Sequence, residues 1–252
     1  MTPGYTIPVL DHGFVRYVDH HGSDQRIVEA ARISYGSPSK GEEQDKKLLA
    51  YLYKNKHTSP FEMAKVTLNV KLPIFVMRQY VRHRMQNLNE VSARYTELPN
   101  EFYVPKVWRK NLGTGQNKQQ SALESDWDKQ GFHLLDKHGE SVGECTLTPN
   151  VWFSEVVARH SQDAYETYQL LIRQGVAREM ARMVLPVNIY TEIYSCWDLK
   201  NLLHFVTLRE DAHAQAEIQE YGRAIKAILV ELFPWTMEAF AKYKWQCIEV
   251  AP

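Results

Sequence analysis

Little in this chain fits the common routes by which a protein holds a metal, a disulfide framework or a dinucleotide. Its three cysteines, Cys145, Cys196 and Cys247, are odd in number and never fall in C-x-x-C spacing. That argues against the usual zinc motifs and against a secreted disulfide scaffold, and makes a reducing cytoplasm the expected compartment. There is no G-x-G-x-x-G, no Walker phosphate loop, no H-E-x-x-H and no G-x-S-x-G. A nucleotide would therefore have to be gripped by side chains rather than by a glycine-rich backbone cradle, which makes a doubly wound dinucleotide fold a poor fit. No run approaches the roughly 20 apolar residues that span a bilayer, and the N-terminus M-T-P-G-Y-T-I-P-V-L lacks the pattern of a secretion signal. Nor does one sign of charge dominate, because Lys+Arg and Asp+Glu are both 30. Without a global basic field the chain is a weak candidate for binding DNA or RNA.

Against that neutral background, one segment is strongly biased. Arg78 to Arg94, R-Q-Y-V-R-H-R-M-Q-N-L-N-E-V-S-A-R, holds four arginines and a histidine around a single acid, Glu90. Gathered guanidinium groups without local acids to pair them suit an anionic ligand, above all phosphate. Tyr80, Tyr95 and Phe102 interleave aromatic surface with the charge, which suits a planar ring attached to phosphate, a nucleotide or a flavin.

At 252 residues and 44% hydrophobic content, the chain is long enough to bury a substantial core, and one domain over 1–252 is expected. Phe14 to Val18 reads as a strand. Ser23 caps a helix through D-Q-R-I-V-E-A-A-R-I-S-Y that stops at Gly36, and Glu42 to Lys56 reads as a second helix. After the turn H-T-S-P-F-E, alternating Val66, Leu68, Val70 and Leu72 predict a strand with one buried face. Pro73 then opens a helix with Ile74, Met77 and Val81 on one side. That helix places Arg78 and Arg82 one turn apart, as it does Gln79 and His83, with Arg82, His83 and Arg84 fanning out at its end. N-L-N-E-V-S-A-R-Y reads as a loop or short strand carrying Glu90, Ser92 and Arg94.

Lys106 to Glu144 is rich in Gly, Gln, Ser, Lys and Asp and reads as an exposed insertion. Thr148 and Pro149 start a long helix whose Val156, Val157, His160, Ala164, Tyr168, Leu171 and Ile172 predict a buried stripe, with His160 structural. G-V-A-R-E-M-A-R-M-V-L-P is a short helix with Arg178 and Arg182 one turn apart. Val187, Ile189, Thr191 and Ile193 alternate as a strand, Asp198 caps the next helix, and a last long helix ends near Pro234.

The spacing Arg82-His83-Arg84 through Ser92 resembles the signature of the flavin-dependent thymidylate synthases. The blocks H-T-S-P-F-E, L-P-I-F-V-M-R-Q-Y, G-V-A-R-E-M-A-R-M-V-L-P and L-R-E-D-A-H-A-Q-A-E-I-Q are similar to that family's, in the family's order, so the likeness runs from about residue 25 to 245 outside the insertion. It implies an α+β fold, a mixed α/β single domain with a central antiparallel-containing sheet flanked by long helices, assembled as a homotetramer with shared active sites. It also implies FAD as cofactor, with NADPH and methylenetetrahydrofolate as co-substrates for methylation of dUMP to dTMP and release of tetrahydrofolate. No cysteine nucleophile is implied, in keeping with the scattered cysteines.

Carried over residue by residue, the resemblance assigns dUMP to Gln79, Tyr80, Val81 and Arg82, then to Glu90, Val91, Ser92, Ala93 and Arg94, and finally to Arg182 and Arg209. Arg94 and Arg182 suit the phosphate. Arg209 suits the base, where a fixed positive charge makes C5 more nucleophilic by stabilising negative charge at N3 and O4, and it is the expected catalytic residue. FAD is assigned to Arg82, His83, Arg84 and Glu90, to Asp198, Leu199, Lys200 and His204, and to Ser59 of a neighbouring subunit. Many relatives have threonine at the Ser59 position, and serine keeps the hydroxyl. Where many carry serine, this chain has Asn87, which also hydrogen-bonds. His204 has a structural alternative as a core histidine, and Ser92 one as a turn serine bonding backbone. Its use as a nucleophile is disfavoured because no base adjoins it. Two other functions stay open on the residues alone, a flavoprotein oxidoreductase that methylates no nucleotide and a noncatalytic RNA-binding module.

Overall fold

The computed structural model describes residues 1–111, 121–123, 127, 129 and 132–243. Much of the expected insertion and the C-terminal residues from 244, Cys247 included, lie outside the described residues. In chain order the elements are β1 (Thr6–Val9), β2 (Gly13–His21), α1 (Asp24–Arg32), α2 (Glu42–Lys54), β3 (Lys65–Pro73), α3 (Ile74–Tyr80) and β4 (Gln86–Glu90). There follow β5 (Arg109–Asn111), β6 (Ser121–Leu123), β7 (Phe132–Leu135), β8 (Ser141–Cys145), α4 (Pro149–Arg173) and α5 (Arg178–Ala181). The chain continues with β9 (Tyr190–Asp198), α6 (Leu199–Arg209), α7 (Ala216–Leu232) and α8 (Pro234–Tyr243). Two compact units result, Met1–Val91 with Thr191–Pro252, and Ser92–Tyr190.

The first unit is built on a five-stranded sheet in the order β1-β2-β3-β9-β4, with β1/β2, β2/β3 and β4/β9 antiparallel. Val66, Leu68, Val70 and Leu72 share a fully buried face, as their alternation requires, and Val15, Tyr17, Ile193 and Trp197 join them from neighbouring strands. Onto this face pack Ile27 of α1, Leu49 and Leu52 of α2, Leu202 and Phe205 of α6, and Ile218, Ile225 and Leu229 of α7. The opposite face is polar at its centre, where Arg16 donates to Asn69 and Asn69 donates to Glu192. Gly13 is required for close packing, since a methyl there would lie 2.7 Å from the Val9 carbonyl oxygen and 2.8 Å from that of Lys71.

Several boundaries differ from the sequence reading. Ile33–Tyr35 forms a 3-10 turn rather than continuing α1, and α2 ends at Lys54. Strand β1 and helix α8 were not expected. The long helix read as ending near Pro234 does so, α7 stopping at Leu232, and Pro234 then opens α8, because its fixed φ and missing N–H suit the first turn of a helix. Helix α3 ends at Tyr80, so Arg82, His83 and Arg84 lie beyond its C-cap Val81, in the turn leading to β4. The alternating segment from Val187 becomes a strand only from Tyr190, where backbone pairing with β4 begins nearby.

In the second unit, α4 is capped as expected by Thr148, whose hydroxyl accepts from the Val151 amide, with Pro149 in the first turn. Its expected buried stripe is only partly buried within the chain. Of the seven residues only Tyr168 is buried, while Val156 and His160 are exposed. The Tyr165 and Tyr168 hydroxyls instead grip Leu98, one donating to its carbonyl and the other accepting from its amide. The described parts of the insertion are not merely exposed loop. They form the β5/β6 and β7/β8 pairs, and Trp108, Trp127 and Phe132 stack edge-on against Phe153 of α4, at ring separations of 5.2–6.1 Å.

Candidate functional site

Pro73 starts α3 and the helix ends one residue after Gln79, so Gln79 and the turn that follows face the end of α6, whose N-terminus is capped by Asp198. Gly222 of α7 permits this end of α6 to be closely packed, since a Cβ there would approach the Arg209 carbonyl carbon to 3.3 Å. Arg209 is the result: its Nε donates to His83 Nε2 at 3.0 Å and its Nη2 donates to the Gln79 main-chain carbonyl at 3.3 Å. Two sequence blocks 126 positions apart are thus joined by one guanidinium. Burial lowers the Arg209 pKa, but a guanidinium remains protonated at neutral pH.

His83 accepts from Arg209 through Nε2, so its proton resides on Nδ1. Its ring packs edge-on to Phe205 at 4.9 Å and lies 6.2 Å from Trp197 and 5.9 Å from His204. Burial, then the charge of Arg209, then His204 push its pKa down to about 4. His204 is shifted in the same direction by partial desolvation of its ring, then by Lys200 and Arg209. Beneath this surface, the Tyr80 hydroxyl is shared with Ser195 at 2.7 Å and receives the Trp197 indole N–H at 3.1 Å.

The sign of the His83 shift makes a prediction. The unfolded chain takes up its proton near 6.5, the folded chain only near 4, so stability carried by the neutral ring is complete above pH 6.5 and is lost as pH falls toward 4. After allowance for solvent screening of a half-buried ring, the loss is about 1–2 kcal/mol. Urea unfolding at pH 7 and pH 4.5 should show a larger fall for the wild-type protein than for His83→Gln. Equal falls would remove His83 as the source.

Other site residues of the first unit fall into distinct groups. Arg82 and Arg84 are exposed guanidiniums without a partner among the described residues. Glu90 accepts from the Thr191 hydroxyl at 2.7 Å and, with Asn69, Asn89, Val91 and Glu192, lines a cavity of about 280 Å³. Tyr80 and Leu199 are buried in the core, so their side chains are not presented at the surface, and Val81 is half-buried. Asp198 is occupied as the cap of α6, accepting from the Asn201 amide and side chain, while Lys200 reaches Asn201 at 3.3 Å and Glu62 at 3.9 Å. Glu62 belongs to the 3-10 turn Ser59–Met63, on which Ser59 is exposed. His204 is also exposed, so it is not the core histidine of the structural alternative.

Within the second unit, Ser92 behaves as a turn residue: its hydroxyl accepts from the Arg94 amide and its carbonyl from the amides of Tyr95 and Thr96. Ala93 is buried and its methyl packs inward. Arg94 is not unpaired as the local sequence suggested, because Glu179, distant in sequence, accepts from its Nε at 2.9 Å. Arg178 similarly meets Glu97 at 3.5 Å. Arg182 starts the 3-10 turn Arg182–Val184 and is exposed, with no side-chain partner among the described residues. Sequence reasoning missed Trp197 and Phe205 beside His83, Gln215 beside Gln79, and Glu179. Only the aromatic bias of W-D-L-K-N-L-L-H-F offered a local hint.

The family model described as thymidylate synthase complementing protein matches residues 16–235. The chain belongs to this family. It is 44% identical over 238 residues to the flavin-dependent thymidylate synthase of Thermus thermophilus, covering 94% of this chain and 79% of that one. Identity is also 44% over 243 residues to the enzyme of the same name from Wolbachia pipientis, covering 96% and 78%. Among solved structures, a UMP/dUMP methylase, PolB from Streptomyces cacaoi, bound with 5-Br dUMP, superposes with a TM-score of 0.76 at 30% identity, covering 94% of this chain and 98% of its own. As a member of the thymidylate synthase complementing protein family, the chain shares the mixed α/β architecture of that methylase, with an antiparallel sheet and packed helices.

Proposed function

We propose that this chain, as one catalytic domain, is a flavin-dependent thymidylate synthase that methylates dUMP at C5 to give dTMP. Methylenetetrahydrofolate supplies the carbon, NADPH the reducing equivalents, and tetrahydrofolate is released. The observation that carries the reading is the Arg209–His83 hydrogen bond, which ties the arginine-histidine-arginine signature to a cationic side chain on α6. Family membership and the dUMP analogue named for the methylase support it.

The residues present fit a flavin. Arg82 and Arg84 offer unpaired forked donors for its diphosphate, and His83 offers an Nδ1–H beside an aromatic wall for its ring system. When bound, the flavin supplies hydride chemistry that no side chain here possesses. Arg209 binds the uracil edge and stabilises negative charge that develops on it, raising the nucleophilicity of C5. Arg182 and Arg94 neutralise the phosphate, with Glu179 holding Arg94 in place. Ser92 contributes a turn that presents its neighbours rather than a nucleophile.

We further assign a homotetramer in which Ser59 reaches a neighbour's flavin. Val176, Met180, Met183, Val184 and Val187 are 36–70% exposed on one short stretch, an apolar surface of the kind that subunit assembly buries, which supports this reading. No helix among the described residues is long and apolar enough to cross a membrane, and we place the enzyme in the cytoplasm. Tritium release from C5-labelled dUMP tests the reading. Release is expected only with FAD, NADPH and methylenetetrahydrofolate all present, and its absence from the flavin-loaded protein would refute a synthase.

A further inference from the structure

The Gln79 side chain has a fixed polarity, and the residues that fix it stand outside the recognition machinery. Glu217, in the first turn of α7, is 3% exposed. Its side chain serves Gln215 as a hydrogen-bond acceptor. Gln215 Nε2 donates to its Oε2 at 2.8 Å, which determines the orientation of the Gln215 carboxamide and turns its Oε1 away. That oxygen accepts from Gln79 Nε2 at 2.5 Å. Gln79 thus has its amide nitrogen engaged and its Oε1 left without a partner among the described residues. On the same residue, the main-chain carbonyl receives Arg209 Nη2, while Arg209 Nη1 stays unengaged among the described residues.

An acceptor held in one orientation, next to a cation that can only donate, is a directional pattern. Uracil presents N3–H between two carbonyl oxygens and matches it. Cytosine presents an unprotonated N3 and an amino group in place of O4, so it sets acceptor against acceptor and donor against donor. A free glutamine would serve either ring by rotating its carboxamide through a half turn. A constrained one leaves polar groups unpaired against the wrong base, which is the strongest source of discrimination available to a hydrogen-bonding site.

We propose that Gln215 is a positioning residue which, held by Glu217, locks Gln79 as an acceptor and makes the site select uracil over cytosine nucleotides. The inference rests on the thymidylate synthase reading. It is tested on the flavin-loaded protein by measuring binding of dUMP and of dCMP to wild type, Gln215→Met and Glu217→Gln. In Gln215→Met the affinity for dUMP is expected to fall about tenfold and that for dCMP to hold or rise, so that the ratio collapses by tenfold or more. The kcat at saturating dUMP should stay within about threefold and the flavin spectrum should be unchanged, because Gln215 touches neither reacting ring. Glu217→Gln should shift the ratio in the same direction, since an amide at 217 donates as well as accepts and frees Gln215 to turn over. It decides the matter if Gln215→Met does not fold. A wild type that prefers dUMP, with variants that weaken both nucleotides equally or leave the ratio intact, overturns the relay alone. A wild type that binds neither nucleotide overturns the synthase reading and the relay together.

Discussion

Arg209→Ala should lower turnover of dUMP by about 10²–10³-fold, the usual effect of deleting one preorganised electrostatic donor, while the protein stays yellow with bound flavin. The expectation follows from what Arg209 touches. Its fork spans His83 and the Gln79 carbonyl, so it is held in place before any ligand arrives, and it loses no orientational freedom as charge develops on the base. Lysine at 209 would keep the charge but not the two-nitrogen geometry, and should recover only part of the rate. The same substitution by alanine removes a positive neighbour from His83, whose depressed pKa should then climb toward its ordinary value. Single-turnover kinetics, an absorption spectrum and a histidine titration followed by NMR separate these effects. Wild-type turnover in Arg209→Ala would end its catalytic assignment.

The largest stability effect is expected at Asp24, far from the site. Its carboxylate, 3% exposed, accepts from the amides of Trp235 and Thr236 at 2.7 and 3.1 Å and from the Thr236 hydroxyl at 2.6 Å. It therefore caps α8 from the start of α1, across 212 positions of sequence. Alanine at 24 would strand two buried donors on Thr236 and a part-buried one on Trp235, at about 1–3 kcal/mol each before relaxation, so a loss of roughly 3–5 kcal/mol is expected. That is a large part of the stability of an ordinary domain. Asparagine keeps one acceptor but sets an amide N–H against a donor, and should fall between alanine and wild type. Denaturant unfolding of the three proteins measures the order. Less than about 1 kcal/mol for Asp24→Ala would show that α8 finds its cap elsewhere.

The features legible beforehand share a physical origin in short-range rules. Alternation placed Val66, Leu68, Val70 and Leu72 on one face, and Ser23, Thr148 and Asp198 were readable as caps because each side chain needs only its own next turn. The R-H-R cluster was legible because charge is conspicuous where nothing nearby cancels it. Where reading went wrong, the controlling partner was remote. Arg94 looked unpaired until folding brought Glu179 to it, and α8 went unread because the carboxylate that caps it lies near the other end of the chain. The α4 stripe was read as buried because periodicity shows that a face is apolar without showing what covers it.

Sequence alone thus determined the family, the chemistry that the chain's charges can serve, and most of the elements, since these depend on residue types and near-neighbour spacing. Only the tertiary structure decided which charges are free to meet a ligand, which tautomer His83 adopts and which way Gln79 faces. Those properties depend on hydrogen bonds between groups over a hundred residues apart, and a hydrogen bond's direction is set by both of its ends.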